Sequence, residues 1–402
     1  MRVILLVLDG LGIGEMPDVA KDRPQDRGAH TLRSLTQNVS HLPLDTLLKL
    51  GLGKIAVEAG VGLPAPNAVA SFGRSRLAHK GADSYLGHQE IMGTIAKPPS
   101  LTLMSQAADR LEGQLAAAGH AVTRPLGGKS LLLVDEAIVI GDNLEADAGL
   151  NINLTVPTDL IDFEEALNIG RIVRQGVTVS RVIVFGGPGI SVDDIMRRVE
   201  ERHNGQIGVN SPALGVYNER LRVQHMGFGV DTDRQAASLV SRQGIPIVLI
   251  GKMADLITCP GAMRDPVVPT AQVMEALLKS YRDLPEALIA VTVQETDLSA
   301  HQGDAHKLAG VLAAVDQGLN RLLSEITADD VLIICADHGN DLRVNPGRHT
   351  REETPLLIFQ KGQAAHALGV RETLADIGAT IAHLFQAPAT QDGTAIEFRR
   401  RP

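Results

Sequence analysis

Short runs of apolar residues, each followed by a polar residue or a glycine, recur along the chain. The clearest are residues 3–8, 247–250, 288–293, 331–335 and 356–359. Continuous apolar runs of this length are typical of strands that are buried on both faces of a sheet. The pattern therefore predicts a core built on several buried, parallel strands.

Residues 304–326 show a different periodicity. Apolar residues recur there every three or four positions, at Leu308, Val311, Leu312, Val315, Leu319 and Leu322. This spacing predicts one long helix with a stripe wide enough to cover one face of a sheet. Strands alternating with helices imply right-handed parallel crossovers, so we expect an α/β fold with a mostly parallel sheet between helix layers. Residues 28–97 are expected to alternate helical stretches with turns.

Residues 98–223 show a different arrangement of predicted strands and helices. The expected elements are strands at 137–140 and 181–185, an amphipathic helix at 162–175, and a helix capped by Ser191 that runs to Glu201. None of the six acids and histidines described below as candidate metal ligands lies in this segment. We therefore expect an inserted, smaller α+β cap domain at 98–223 within a core formed by residues 1–97 and 224–402.

Composition excludes several classes of protein. The chain has 402 residues, 44% apolar and 21% charged, which is the balance of a soluble globular protein. A net charge of -9 and the absence of Trp argue against nucleic acid as a partner. Asp9 interrupts the first apolar run after six residues, too early for a signal peptide or a membrane span. Two cysteines fit a reducing compartment, so we expect a cytoplasmic monomer or small homo-oligomer without a membrane partner.

Acids and histidines cluster after the predicted strands. They are Asp9, Asp297, His301, Asp337, His338 and His349. Because parallel strands end at one edge of a sheet, we expect these six side chains to converge on two divalent metal ions. Carboxylates with imidazoles and no thiolate favour Mn²⁺, with Zn²⁺ or Mg²⁺ as alternatives. The competing interpretation is a helix cap at Asp9 and a surface pair at Asp297 and His301.

Two loops bear on the chemistry. Residues 10–14, GLGIG, lack the Gly-x-Gly-x-x-Gly spacing of a dinucleotide site, and an acid precedes them. Residues 81–90, GADSYLGHQE, place Ser84 near His88, which suggests a hydroxyl nucleophile held against a metal. A turn or capping serine is the alternative. Two metal ions can hold the attacking and leaving oxygens of a displacement at phosphorus, so phosphoryl transfer is the expected reaction.

Several motifs occur in order over nearly the whole chain. They are VLDGLGIGEMPD at 7–18, GHQEIMG at 87–93, GKMAD at 251–255, ADHG at 336–339 and HTRE at 349–352. Together they resemble the phosphopentomutase family of the alkaline phosphatase superfamily. The resemblance implies an alkaline-phosphatase-like core. It also implies one metal held by Asp297, His301 and His349, and another held by Asp9, Asp337 and His338.

The same resemblance implies a mechanism. Ser84 stands where the family has a phosphorylated threonine, so a phosphorylated Ser84 would pass its phosphoryl group to a sugar phosphate and recover one from the other end. A sugar bisphosphate activator is consistent with this scheme. By position, the implied substrate-binding residues are Asp147, His88 and Lys252.

Three features depart from the family. The family has an arginine shortly after an Arg-Val-Ile strand, where it binds the substrate phosphate. This chain has Arg-Val-Ile at 181–183 but no basic residue directly after it, so Arg220 or Arg222 would have to take that role. The spacing from Asp297 to His301 instead resembles the cofactor-independent phosphoglycerate mutases, and Gln89 replaces an aromatic residue. We therefore expect a metal-dependent phosphomutase, with ribose or deoxyribose 1-phosphate converted to the 5-phosphate. The alternatives are another phosphorylated small molecule as substrate, a phosphatase or phosphodiesterase with the same metals, and a catalytically silent metal-binding protein.

Overall fold

The computed structural model describes residues 1–146, 148–215 and 220–398. These residues form two compact units. One comprises Met1–Ile95 together with the described residues from Asp231 onward, and the other is Ala96–Val230. The sequence suggested 98–223 for the inserted segment.

The strands are listed in chain order. They are β1 Arg2–Leu8, β2 Ser71–Ser75, β3 Val122–Thr123, β4 Leu132–Val134, β5 Ile138–Asp142, β6 Asn151–Pro157, β7 Arg181–Gly187, β8 Val199–Glu201, β9 Ile207–Val209, β10 Arg222–Gly227, β11 Ile247–Gly251, β12 Met263–Asp265, β13 Ala287–Val293, β14 Val331–Cys335, β15 Thr354–Phe359 and β16 Ala367–Arg371.

The helices are also numbered in chain order. They are α1 Val19–Asp22, α2 Thr31–Asn38, α3 Asp45–Leu47, α4 Gly53–Glu58, α5 Ser84–Ile91, α6 Met104–Ala117, α7 Phe163–Gly176, α8 Val192–Met196, α9 Ser211–Leu214, α10 Ala236–Ser241, α11 Lys252–Leu256, α12 Thr270–Asp283, α13 Glu295–His301, α14 Ala305–Glu325 and α15 Ala375–Leu384. A π-turn at Leu48–Leu52 and 3₁₀ turns at Pro24–Asp26 and Thr232–Arg234 complete the set.

The larger unit is built on one sheet, which has eight strands within the described ranges. Its strand order is β12-β11-β13-β1-β14-β15-β2-β16. The run from β12 to β14 is parallel, whereas β15 is antiparallel to both of its neighbours, β14 and β2. The sheet is therefore mostly parallel, as the apolar runs predicted.

Strand β1 shows why its apolar run is continuous. Ile4, Leu6 and Leu8 belong to one core with residues of α2, α12 and α14. Val3, Leu5 and Val7 belong to the opposite core, with residues of α10 and α15. Because successive side chains alternate between the faces, a strand covered on both sides needs apolar residues at every position.

Helix α14 confirms the predicted long helix. All six residues of the predicted stripe are buried, and Asp304 caps the helix by accepting a hydrogen bond from the Lys307 N–H at 2.9 Å. Burial of this stripe against the sheet stabilises the helix more than intrinsic propensity does.

The inserted unit has a sheet of its own. Its order is β10-β7-β6-β5-β4-β3, in which only the pair β6 and β7 is parallel within the described residues. Helices α6 and α7 pack on one face of it, and β8 and β9 form a separate hairpin. The expected α+β character of the insert is confirmed.

Two sequence-based expectations were wrong. Ser191 does cap a helix, because its Oγ accepts a hydrogen bond from the Asp194 N–H at 3.1 Å. That helix is only Val192–Met196, however, and the expected continuation to Glu201 is instead strand β8, which pairs with β9. Strand β2 was also missed within residues 28–97, because its alternating Ser, Phe, Gly and Arg residues have little apolar signal. In both places long-range strand pairing outweighs local pattern.

Candidate metal centre

Three carboxylates meet at the carboxyl edge of three adjacent strands. Residues Leu8 and Val293 are register partners, as are Val7 and Cys335, so β13, β1 and β14 end side by side. Asp9 follows β1 directly, Asp337 lies two residues beyond β14, and Asp297 is in the first turn of α13. All three carboxylates are almost completely buried. The strand-end pattern of the sequence therefore becomes a cluster because these strands are neighbours.

Three imidazoles join this cluster. His338 is fully buried, and its Nε2 lies 3.5 Å from Asp9 Oδ1 and 3.2 Å from Asp337 Oδ2. His301 Nε2 and His349 Nε2 lie 3.2 Å and 3.5 Å from Asp297 Oδ2. The structure thus brings all six predicted residues together.

The hydrogen bonds of the imidazoles test whether a metal fits. The Nδ1–H groups of His301, His338 and His349 donate to the carbonyls of Gly347, Gly339 and Ala82 at 2.9–3.0 Å. A carbonyl only accepts, so each Nδ1 carries a proton, and Nε2 is the nitrogen that offers a lone pair when the imidazole is neutral. Metal-binding histidines are typically oriented in this way.

These lone pairs converge. His301 Nε2 and His349 Nε2 are only 2.9 Å apart, and both face Asp297. Within the described residues, His338 Nε2 and Asp9 Oδ1 are buried without a hydrogen-bond partner. Neutral imidazole nitrogens and carboxylate oxygens at such distances repel unless a proton or a metal ion lies among them, and this mixed set of donors fits divalent metal ions.

The geometry groups the donors in overlapping sets. One set is Asp297, His301 and His349, as the resemblance implied. Asp9 falls in two further sets, one with Asp337 and His88 and the other with Asp297 and His338. The resemblance implied a second site of Asp9, Asp337 and His338. In the structure Asp337 and His338 fall in different sets, and Asp9 belongs to both.

The pKa values reflect this crowding. Burial and the nearby Asp337 and Asp297 carboxylates raise the pKa of Asp9 well above its ordinary value. Burial also opposes ionisation of Asp297, but its contacts with His301 and His349 outweigh burial and hold its pKa well below the ordinary value. Buried carboxylates of this kind need nearby positive charge.

Lys252 supplies one positive charge. It is the first residue of α11, and its Nζ lies 2.5 Å from Asp9 Oδ2 and 3.9 Å from Asp297 Oδ2. Burial would lower the pKa of Lys252, but the three carboxylates of the cluster outweigh burial and raise it. Lys252 therefore stays an ammonium group and also donates a hydrogen bond to Ser84 Oγ at 3.0 Å.

Ser84 is the first residue of α5. The preceding Asp83 caps this helix by accepting a hydrogen bond from the Leu86 N–H at 2.9 Å. Ser84 Oγ donates to Asp337 Oδ2 at 2.7 Å. The helix comes this close because residue 87 is glycine: a Cβ at Gly87 would lie 2.7 Å from the carbonyl oxygen of Asp337. The structure thus places Ser84 at the edge of the carboxylate cluster.

His88 connects the first turn of α5 to strand β13. Its Nδ1–H donates to the Ser84 carbonyl at 2.8 Å, and its Nε2 pairs with Thr292 Oγ1 at 2.9 Å. His88 is fully buried, with Nδ1 3.2 Å from Asp337 Oδ2. Both ring nitrogens are engaged within the protein, so Nδ1 has no free lone pair for a metal.

Sequence reasoning assigned no role to Asn340, although the residue directly follows the ADHG motif at 336–339. Its Nδ2 donates to Asp297 Oδ1 at 2.8 Å, and its backbone N–H donates to Thr31 Oγ1 at 2.9 Å. The side chain is fully buried. Asn340 therefore fixes the orientation of one candidate metal ligand. A polar residue three positions after the strand-end acid Asp337 was the available signal.

Glu352 was also missed. Its buried carboxylate accepts hydrogen bonds from Thr31 Oγ1, Thr350 Oγ1 and the N–H groups of Thr31 and Gly14, at 2.7–3.2 Å. Burial raises its pKa to about 7 despite these hydrogen bonds. Glu352 joins the loop after β1 to the loop that carries His349. The HTRE motif contained it without indicating this role.

The remaining predicted residues belong to the insert. Asp147 lies outside the described residues. Arg220 is exposed in the turn before β10. The Arg222 guanidinium lies 4.3 Å from the centre of the Phe163 ring and 3.6 Å from Glu164 Oε1.

Comparison with known proteins gives the family. The family model described as the metalloenzyme superfamily matches residues 1–389. The chain belongs to this superfamily. The eight-stranded, mostly parallel sheet and its helix layers agree with the α/β architecture that the sequence suggested. Metal dependence is a property of this family and agrees with the Asp and His sets.

Individual relatives of this metalloenzyme are similar over their whole length. It is 27% identical to the phosphopentomutase of Alkaliphilus oremlandii (strain OhILAs), with 98% of each chain covered. Identity to the phosphopentomutase of Herpetosiphon aurantiacus is 28%, covering 98% of this chain and 97% of the relative. These relatives support the expectation of an enzyme of the isomerase and phosphotransferase class.

A similar solved structure is the phosphoglycerate mutase of Leishmania mexicana at low cobalt concentration. The TM-score is 0.48 at 13% identity, with 99% of this chain and 98% of that chain covered. Among the described residues of this metalloenzyme, no helix combines the length and apolar character needed to cross a membrane.

Proposed function

We propose that the chain is a metal-dependent phosphomutase that moves a phosphoryl group between hydroxyls of a small phosphorylated sugar through Ser84. The observation that carries this proposal is the position of Ser84 Oγ, 2.7 Å from Asp337 and 3.0 Å from Lys252. A hydroxyl at the start of a helix, next to a carboxylate and an ammonium group, is placed to accept and return a phosphoryl group.

The residues proposed to hold two divalent metal ions are Asp9, Asp297, His301, Asp337, His338 and His349. Their carboxylate and imidazole donors favour Mn²⁺, with Zn²⁺ or Mg²⁺ as alternatives. Bound there, such ions supply positive charge to the phosphoryl oxygens and favour the alkoxide form of a hydroxyl.

The chain's own residues position the reacting atoms. Burial would raise the pKa of Asp337, but His338 and His88 outweigh burial and keep it well below its ordinary value. Asp337 is therefore ionised and orients the Ser84 hydroxyl by accepting its hydrogen bond. Lys252 is placed to pair with phosphoryl oxygens on Ser84, and His88 holds the first turn of α5.

In the forward step the bond from phosphorus to Ser84 Oγ breaks as a bond to a sugar hydroxyl oxygen forms. The proton of that hydroxyl ends on Ser84 Oγ, where Asp337 accepts its hydrogen bond. The resulting sugar bisphosphate then returns its other phosphoryl group to Ser84. A sugar bisphosphate activator would load Ser84 for the first turnover.

We propose a pentose as the sugar, with ribose or deoxyribose 1-phosphate converted to the 5-phosphate. Support comes from relatives named phosphopentomutase, which match the whole chain at 27–28% identity. Asp147, Arg220 and Arg222 of the insert remain the proposed contacts for the substrate.

The test uses the full chain with ribose 1-phosphate, a trace of sugar bisphosphate and each metal ion in turn. Products are separated by anion-exchange chromatography. Ribose 5-phosphate is the expected product. Inorganic phosphate without isomer would instead indicate a phosphatase, and no consumption with Mn²⁺, Zn²⁺ or Mg²⁺ would remove this substrate.

A further inference from the structure

A cavity of about 230 Å³ lies in the larger unit, at the start of α2. Its walls are formed by residues 13–15, 28–30, 33, 59, 74 and 353. In the described part of the chain, none of these residues is a candidate metal ligand or a proposed substrate contact. The volume is below the usual range for drug-sized ligands, so the cavity has room for a small group only. It is therefore a site separate from the candidate metal centre.

His30 is the N-cap residue of α2 and forms part of the cavity wall. The residue is only 3% exposed, and its Nδ1 accepts a hydrogen bond from the Arg33 N–H at 3.3 Å. A backbone N–H only donates, so the proton of the neutral ring is on Nε2. Burial and the nearby Arg33 charge lower the pKa of His30 to about 4, which keeps the ring neutral near pH 7. His30 thus presents an N–H donor, unlike the three imidazoles of the metal centre.

The Nε2–H of His30 has no hydrogen-bond partner within the described residues. The Ala59 carbonyl is close enough to oppose the decrease in pKa, but it accepts from Arg33 Nη2 at 2.9 Å and not from His30. A Cβ at Gly14, which also lines the cavity, would lie 3.8 Å from Nε2. The donor therefore faces the cavity. Buried donors without an acceptor are rare in native proteins, because nothing compensates their loss of water.

The carboxylates that line the cavity are already engaged. Glu353 accepts from Arg74 Nη1 at 2.8 Å through one oxygen and from Arg76 Nε at 3.1 Å through the other. Glu15 Oε2 accepts from the Gly28 N–H at 2.5 Å. A cation is therefore not the ligand that these carboxylates call for, and the group that would satisfy His30 must bring an acceptor.

Arg33 adds a positive charge beside this donor. It is the third residue of α2 and lines the same cavity. Its Nη2 donates to the Ala59 carbonyl, a neutral acceptor, and within the described residues the guanidinium forms no ion pair. A guanidinium binds two oxygens of a phosphate or carboxylate side by side. A water molecule would satisfy His30 but would leave Arg33 without a counter-charge.

We propose that this cavity binds a small oxyanion, a phosphate or a carboxylate group, between His30 and Arg33. One oxygen accepts the hydrogen bond of His30 Nε2–H, and a second oxygen accepts from the remaining N–H groups of Arg33. Phosphate and carboxylate share this chemistry, and the experiment distinguishes them. This binding goes beyond the proposed transfer reaction and does not depend on it.

The experiment uses the full chain with nitrogen-15 labelled histidine, near pH 7 and with Mg²⁺ present. Long-range proton–nitrogen correlation spectra show which nitrogen of each ring carries the proton. His30→Asn identifies the His30 signals by their loss, and asparagine keeps the helix capped. The chain is titrated with inorganic phosphate and, separately, with acetate, each at an ionic strength held constant with sodium chloride.

We expect the His30 ring to carry its proton on Nε2, and its Nε2 signal to shift saturably with at least one of the two anions. The anion that saturates the shift at the lower concentration identifies the ligand as a phosphate or a carboxylate. Arg33→Gln should weaken the affinity about tenfold or more, because a charge-assisted hydrogen bond is lost. Arg27→Gln, at an exposed arginine that does not line the cavity, should bind as the original chain does.

Three results would overturn the proposal. They are a proton on His30 Nδ1 instead of Nε2, a His30 signal that neither anion moves, and equal affinity in Arg33→Gln and Arg27→Gln. If Arg33→Gln does not fold, the titration of the original chain alone decides. His30→Ser, with another good capping residue, replaces His30→Asn for the assignment if that variant does not fold.

Discussion

Ser84 Oγ donates a hydrogen bond to Asp337 Oδ2 across 2.7 Å, although 253 positions separate the two residues in the chain. The contact joins the start of α5 to the end of β14. It exists because Gly87 lets the helix approach the backbone of Asp337. The candidate nucleophile is therefore oriented by a residue of the carboxylate cluster itself.

The first prediction concerns this hydroxyl. Ser84→Ala should lose transfer activity by more than about a thousandfold, because no oxygen remains to carry the phosphoryl group. Intact-mass measurement after incubation with a sugar bisphosphate should show one added phosphoryl group on the original chain and none on the variant. The control is Ser324→Ala, on the surface of α14. Phosphorylation retained in Ser84→Ala would rule out Ser84 as the acceptor.

The second prediction concerns the metal ions. Asp297→Asn should lower the metal content measured by elemental analysis, because Asp297 faces both His301 and His349. The exposed Asp329→Asn should retain the full content.

Chelation of the original chain should lower its melting temperature. A metal present at a hundred times its dissociation constant contributes about 2.7 kcal/mol to the free energy of unfolding. Unchanged melting after chelation, together with unchanged metal content in Asp297→Asn, would contradict the assignment.

The third prediction tests Asn340 as a positioning residue. Asn340→Ala should weaken metal binding about 10–100-fold, because Asp297 loses the hydrogen bond that orients it. Affinity is measured by competition with a metal-binding dye. Asn38→Ala, which removes a hydrogen bond to a helix carbonyl on the surface, is the matched control. A lower melting temperature with unaltered metal affinity would assign Asn340 a structural role only.

The fourth prediction concerns pH. Burial raises the pKa of Glu352 from an ordinary value of 4.5 to about 7. The folded state therefore holds this proton more tightly than the unfolded state, and stability falls as the pH rises from 4.5 through 7. The loss is on the order of 3 kcal/mol.

Urea unfolding across this range should show the loss in the original chain. Glu352→Gln should lack that component, because its amide does not ionise. The difference between the two chains isolates Glu352 from the other titrating groups. Parallel pH profiles for both chains would show that Glu352 does not titrate in this way.

The fifth prediction compares two helical glycines. Gly113→Ala, on the exposed surface of α6, should stabilise the protein by about 0.5–1 kcal/mol, since no atom lies within 4 Å of the new methyl group. Gly87→Ala should instead cost about 1–3 kcal/mol, because the methyl group meets the Asp337 backbone. Activity should fall only in Gly87→Ala, as α5 moves Ser84 away. Thermal melts and transfer assays on both variants check this, and equal behaviour of the two would argue against close packing at Gly87.

Local patterns were sufficient for the core strands, for α14 and for the acids that follow the strands. A strand covered on both faces requires an unbroken apolar run, so the run itself marks β1 and β14 and the positions of Asp9 and Asp337 after them. The histidines could be proposed as partners because carboxylates and imidazoles are shared metal ligands.

Only the tertiary structure decided which of these groups meet and how each is oriented. The order of β13, β1 and β14, the antiparallel placement of β15, and the approach of Lys252 to Ser84 depend on contacts between distant segments. The carbonyl groups that orient His301 and His349 also come from other loops, at Gly347 and Ala82. Local sequence reports periodicity and burial, whereas neighbours are chosen by packing over the whole chain, and that is why α8 ended early and Asn340 was missed.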